Sequence, residues 1–490
     1  MLRFGNKMLN DKEIVLIKNP RAKYPVNFPF HPSEKYPEYP FLGIGQDGND
    51  IYQMVREFFR AGKFDITNYG KNSWNPLGDI IKPGNTVLIK PNLVRHYHPH
   101  QTTIEAIVTH GSVIRAVLDY VFIATKGQGK IIIGDAPLQN CDFEQLCREN
   151  GLFAIQEFYK NKNIGIELID FRKERALTDA NHVIFKKISL KGDPRGYQQF
   201  NLGSDSLLRE LVGAEFRVTN YDPGLMKEHH AAGHHEYVIA NTVLQTDVVI
   251  SLPKLKTHRK AGLTCALKNM VGINGNKDWL PHHRKGSLNE HGDEYLYPNF
   301  LKRIYVYLAE IEGKTNNLFF KYLLKIIRGP FKMITFLIKH DNFWEGSWHG
   351  NDTVWRTILD LNRILLYGDR AGRLSDDTQR KCLTIVDAII AGEGEGPLEP
   401  ASKFCGIIFG GINPVAVDAV ASKIMGFDWQ KIPTIRNAFL QFKYPLVNFP
   451  HGEINLLSGD SNYQNNFIPA KGWKNHIELM KQNKDVSADN

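Results

Sequence analysis

Three short apolar runs, each stopped by proline or a polar residue, constrain this chain more than any other feature. Thr86 to Lys90 ends at Pro91, Lys130 to Gly134 closes on Asp135, and Asp247 to Leu252 stops at Pro253. Between the first two lies Ser112 to Thr125, where Val113, Ala116, Val117, Tyr120 and Val121 recur at helical spacing. Strand, helix and strand at this interval make a βαβ unit, which requires parallel pairing through a right-handed crossover. Leu383 to Val386, closed by Asp387, reads as a fourth strand, and Gly406 to Phe409, closed by Gly410 and Gly411, as a fifth. Val415 to Met425 then reads as a helix stopped by Gly426. The expected fold class is α/β: a mostly parallel sheet flanked by helices, with a helical insertion. One shared sheet would set Lys90, Asn92, Asp135, Lys254, Lys256 and Asp387 on a single rim at strand carboxyl ends, where open α/β sheets bind ligands.

The 490 residues, 42% of them hydrophobic, can bury a large core. Residues 1–80 read as an N-terminal arm and helix, with prolines at 20, 25, 29, 32, 37 and 40 keeping the arm extended. Residues 81–288 and 382–460 form the expected α/β core, 289–381 a mainly helical insertion and 461–490 a C-terminal tail. Within the insertion, 317–339 spaces Lys321, Lys325, Arg328 and Lys332 at helical intervals among apolar residues, and Gly329-Pro330 is expected to break the run. Its cations exclude a spanning helix, so the segment suits peripheral membrane contact. A pair of helices packed on the body or on another subunit is the more ordinary arrangement.

Chemistry concentrates after the third strand, where Lys254, Lys256, His258, Arg259 and Lys260 precede a helix-compatible segment carrying Lys268 and Asn269. Cations crowded beside a buried strand repel one another unless an anion neutralises them. Lys256 and Lys268, as amines of lowered pKa, and His258, titrating near neutrality, are the catalytic candidates. Lys90, Asn92, Asp135, Lys254, Asn269 and Asp387 are the substrate-binding candidates. A second cluster runs from His229 to Glu236; were it helical, His230 and His234 would share a face and, with Asp222, could hold a divalent metal. An exposed or hydrogen-bonded loop is the alternative there. Gly392 to Pro397 is glycine-rich but acidic, without the ending of a P-loop, and neither G-x-G-x-x-G after the first strand nor G-x-S-x-G occurs.

The formal charge of +9 points to anionic partners, but basic and acidic residues are interspersed and nucleic-acid motifs are missing. A small anionic ligand is expected, and nucleic acid is not. Five widely spaced cysteines fit neither a disulfide framework nor an iron-sulfur cluster, and a reducing compartment suits them. Met1 to Asn10 lacks a secretory pattern and no apolar span of membrane length follows, so the expected location is cytoplasmic.

Lys90-Pro91-Asn92-Leu93, Thr109-His110, Gly134-Asp135, Leu252-Pro253-Lys254-Leu255-Lys256-Thr257-His258, Leu267-Lys268-Asn269-Met270-Val271-Gly272 and Asp418-Ala419-Val420-Ala421 occur in that order. Together they resemble the uncharacterised family catalogued as domain of unknown function 362, over about Thr86 to Phe427. The tract Asn274 to His283 with Gly292-Asp293-Glu294-Tyr295 is similar to a large subgroup associated with bacterial surface-polysaccharide gene neighbourhoods. Many relatives carry a ferredoxin-like module, whose C-x-x-C runs this chain lacks, and the family brings no agreed reaction. A strand followed by a Pro/His loop and a Gly-x-Thr segment is similar to the lactate-racemase type of fold, an analogy of fold alone. The leading expectation is thus an enzyme acting on a phosphate- or carboxylate-bearing metabolite, in cell-surface polysaccharide biosynthesis if the subgroup resemblance holds. The competing expectation is a non-catalytic binding protein or membrane-associated scaffold.

Overall fold

A computed structural model describes residues 8–179, 183–218, 223–337, 343–460 and 462–479. Its centre is a ten-stranded sheet. In chain order the strands are β1 (Glu13–Lys18), β2 (Thr86–Pro91), β3 (Lys130–Asp135), β4 (Ile166–Asp170), β5 (Val248–Leu252), β6 (Lys254–His258), β7 (Gly262–Thr264), β8 (Lys381–Glu395), β9 (Glu399–Gly411) and β10 (Asn455–Ser458). Across the sheet the order is β10, β1, β9, β8, β5, β2, β3, β4, with β6 beside β8 and β7 beside β6. From β8 to β4 every pairing is parallel, so the fold is α/β with a large, mostly parallel sheet.

These strands are continuous apolar runs because both faces are covered. In β2, Val87 and Ile89 pack with helices α1 (Asp50–Ala61) and α2 (Gly111–Thr125), whereas Leu88 between them joins residues of a helix on the other side, α5 (Val354–Tyr367). The period of two thus feeds two cores. Further along the second face, Val386, Ile407 and Phe409 pack on α6 (Pro414–Met425). That helix starts where Asn413 accepts hydrogen bonds from the Val415 and Ala416 amides, with Pro414 in its first turn, and stops at Gly426, whose φ of 75° is a left-handed cap.

Three features depart from expectation. The strand ending at Gly411 runs antiparallel to β8, as one arm of a long hairpin, and Asp387 lies within β8 instead of closing it. The cause is β6: after Pro253 the chain keeps pairing with β8, Lys254 opposite Asp387 and Lys256 opposite Gly392, so β8 outlasts β5. Second, the N-terminal region is more than an arm, because the buried run at Ile14, Val15 and Leu16 inserts β1 between β9 and β10. Third, Gly329-Pro330 does not break the insertion. Helices α3 (Phe300–Lys314) and α4 (Leu318–Leu337) form a hairpin, and α4 continues through Pro330. Contacts to α3 hold the turn that proline weakens: Arg328 pairs with Glu312 at 2.8 Å and donates to Tyr305 Oη at 2.8 Å, and Lys332 lies over the Tyr305 ring. No described helix is long and apolar enough to cross a membrane.

Candidate functional site: a cationic cleft at the end of the sheet

β5 and β2 pair as far as Leu252 opposite Pro91, after which β6 follows β8 and parts from β2. The gap between the diverging strands opens into a cavity of about 630 Å³. Asn92, Asp135, Lys256, His258, Lys268 and Asn269 all line it, drawn from segments far apart in sequence. The other three expected site residues, Lys90, Lys254 and Asp387, sit behind the wall as members of two buried ion pairs.

In the first pair, Lys90 Nζ lies 2.7 Å from Asp135 Oδ1 and donates to Pro91 O and Asn269 Oδ1 at 3.0 and 3.2 Å. The other Asp135 oxygen accepts from the Leu93 amide at 2.7 Å. Asn269 closes the network by donating to Lys90 O and Ser251 Oγ. A Cβ on Gly272 would stand 1.9 Å from Asp135 Oδ1, so the pair needs glycine there. In the second pair, Lys254 Nζ is 3.0 Å from Asp387 Oδ2 and donates to Tyr24 Oη at 2.7 Å. Tyr24, brought by the proline-rich arm, donates to Asp387 Oδ1 at 2.5 Å and stacks on His110 at 4.0 Å. Burial lowers both lysine pKa values, and the adjoining carboxylates oppose the shift.

The wall itself is differently charged. Nine lysine and arginine side chains line it against three carboxylates, those of Asp135, Glu345 and Glu399. Lys256, fully buried, donates to Asn92 Oδ1 at 2.8 Å and to Ile107 O. Burial, with Lys254 and Lys268 nearby, drives its pKa well down. Lys268 is partly exposed within the cavity, yet burial, Lys277 and Lys260 bring it down to about 7. Desolvation takes Lys260 and Lys277 each to about 8.

The two wall histidines are complementary. His258 Nδ1 lies 3.1 Å from the Lys260 and Ala261 amides and must accept, which puts its proton on Nε2. His282 Nδ1 lies 2.7 Å from the Leu280 carbonyl and must donate, which leaves Nε2 as the acceptor. Burial and then Lys268 hold both pKa values far below the ordinary imidazole range, so both rings are neutral. One ring thus keeps an Nε2 donor and the other an Nε2 acceptor, and both residues line the cavity.

Several contributors escaped sequence reasoning. Lys325, Arg328 and Lys332 of α4 reach the wall from the insertion, and Arg95 comes from the loop after β2. Asp418 of α6 accepts from the Ala266 and Leu267 amides at 2.6 and 3.2 Å, fixing the helical turn Ala266–Asn269 that carries Lys268 and Asn269. Burial raises its pKa to about 7. The signal for Asp418 was its place in a recurring motif; nothing local marked the α4 cations as site residues.

The histidine cluster lies elsewhere and is not helical. Gly233, at φ 74°, turns a hairpin that pairs His230–Ala231 with His234–Ala240. Strand periodicity then separates the expected metal pair. His230 turns inward beside His235, with Nε2 2.9 Å from Trp279 O, and burial lowers its pKa to about 3. His234 joins His229 instead, both on Glu236 Oε2, at 3.0 and 2.8 Å. Donor atoms of His229, His234 and Glu236 lie within 4.8 Å of one another, the group among the described residues with metal-ligand geometry. Asp222 lies outside the described residues.

Comparison with known proteins adds three findings. The Thylakoid-associated protein of Synechocystis sp. is 24% identical over 196 residues, which span 40% of this chain and 41% of that relative. A crystal structure of a Thermotoga maritima protein aligns with 73% of this chain and 54% of its own, at 10% identity and a TM-score of 0.28. The profile described as Domain of unknown function (DUF362) matches residues 87–195 and 201–423, and the chain belongs to that family.

Proposed function

We propose that the cleft binds a phosphate-bearing metabolite, with the His258 Nε2 hydrogen donating a hydrogen bond to it, His282 Nε2 accepting one, and Lys256 as base or nucleophile. The excess of wall cations carries this reading. Two like charges about 4 Å apart repel by about 4 kcal/mol at an effective dielectric near 20. Lys268, Lys260 and Lys277 relieve that repulsion in the free protein by partial deprotonation, and an anion relieves it by binding. Phosphate suits the wall better than a single carboxylate, because its oxygens engage several donors at once. The subgroup's association with surface polysaccharides favours a sugar phosphate, and the thylakoid-associated relative supports a place beside a membrane.

Titration calorimetry with inorganic pyrophosphate tests the reading. Binding by the natural sequence is expected, with at least about a tenfold loss in Lys268→Ala, on the scale of charge-assisted hydrogen bonds, and a smaller loss in Lys256→Ala. Circular dichroism and melting checks that both variants fold. Equal affinity in folded Lys256→Ala and Lys268→Ala, or none in the natural sequence, defeats the proposal.

A further inference from the structure

We infer that the ligand is an anionic lipid, drawn head group first from a bilayer on which the α3–α4 hairpin lies. This rests on the phosphate reading above and adds the source and class of the ligand. Helix α4 is two-sided in an unusual sense. Lys325, Arg328 and Lys332, at helical spacing, line the cavity. The opposite stripe is apolar and open to solvent: Phe319, Ile326 and Met333, seven residues apart, are 77%, 73% and 62% exposed, and Leu337 one turn on is 69% exposed. Phe300 and Tyr307 of α3, also seven apart, add 73% and 61% exposed rings to the hairpin.

An ordinary surface helix turns apolar residues inward and cations outward. Here Lys325 and Arg328, half-buried, and the more exposed Lys332 line a cavity already rich in positive charge, and large apolar groups face out. A soluble phosphate explains the first face only. An amphiphile explains both: its phosphate meets Lys325 and Lys332 at the wall beside the Arg328–Glu312 pair, and its chains leave past the apolar stripe into the bilayer. The helix lacks the length and apolarity to cross a membrane, which leaves it lying in the interfacial plane. A second copy of this chain would cover the apolar stripe but would bring no anion to the cations beneath it.

The test uses the full chain with phosphatidylcholine vesicles, with and without phosphatidic acid, in a flotation assay, beside pyrophosphate calorimetry. Flotation only with phosphatidic acid is expected. The combined variant Phe319→Ser, Ile326→Ser and Met333→Ser should lose vesicle binding by at least about tenfold, the scale of three apolar anchors, with pyrophosphate affinity intact. Lys325→Ala with Lys332→Ala should weaken both. Flotation of the serine variant like the natural sequence, or no flotation while pyrophosphate binds, overturns the lipid inference and leaves the phosphate site standing. A dimer that the serine changes convert to monomer, without vesicle binding, overturns it in favour of self-association. Vesicle binding without pyrophosphate binding strikes the phosphate reading, and the lipid inference with it.

Discussion

Behind the cavity, Lys90 and Lys254 each touch a buried carboxylate; on its wall, Lys256 and Lys268 form no ion pair among the described residues. All four belong to family motifs, so the difference lies in partners. A lysine with its own carboxylate holds backbone together and has no charge left to offer. A lysine without one is strained by desolvation and is ready for a ligand. The largest expected effect follows from removing members of each set. Lys90→Met and Lys254→Met strand Asp135 and Asp387 as buried charges and should each destabilise by about 3–5 kcal/mol in chemical denaturation. Lys268→Met removes a crowded cation and should change stability by less than about 1 kcal/mol, while weakening anion binding. Comparable unfolding costs across the three variants would erase the distinction between scaffold and wall.

The same contrast can be sharpened with glycines. Gly272 abuts the Lys90 and Asp135 pair, with 1.9 Å between a built Cβ and Asp135 Oδ1, whereas a Cβ at Gly329 of α4 meets nothing within 4 Å. Gly272→Ala must push a buried ion pair aside and should cost about 1–3 kcal/mol. Gly329→Ala should gain about 0.5–1 kcal/mol from helix propensity. Melting curves of the two variants moving in opposite directions would support a packed rear scaffold and an open helix hairpin. A harmless Gly272→Ala would show that the pair can relax.

How much of this was legible in the sequence depends on whether the signal was local. β2, β3 and β5 were readable because strands buried on both faces are unbroken apolar runs. β6, reading Lys-Leu-Lys-Thr-His, hid because its polar residues are buried around a cavity, a pattern that resembles a solvated loop. His230 and His234 looked like a helical pair, but Gly233 turns a hairpin between them, and a period of two sends neighbouring side chains to opposite faces. The motif residues Asn92, Lys256, His258, Lys268 and Asn269 line one cleft, since strand ends converge whenever strands are parallel. They missed what arrives by tertiary docking: Tyr24 from the arm and Lys325, Arg328 and Lys332 from the insertion. Amphipathic spacing revealed that α4 has two faces. Only packing decides which one meets the protein.

The smallest expected effect is also the most specific to the wall. Lys268 near 7 and Lys260 and Lys277 near 8 lie below the ordinary lysine value, with burial as the leading cause. A bound anion favours their charged forms and must raise those values. At pH 6 the amines are already protonated, so binding should exchange few protons. At pH 8 they are largely neutral or half-charged in the free protein, so binding should take up on the order of one proton, and affinity should fall as pH rises. Sulfate, a dianion throughout this range, keeps the ligand from contributing. Calorimetry at pH 8 in Tris and in HEPES, whose ionisation enthalpies differ, reads the uptake directly. Lys90 and Lys254 should contribute nothing, because their carboxylates remain their partners with or without ligand. Lys268→Met should therefore remove about half of the uptake, and an undiminished value in that variant would move the titrating amine elsewhere on the wall.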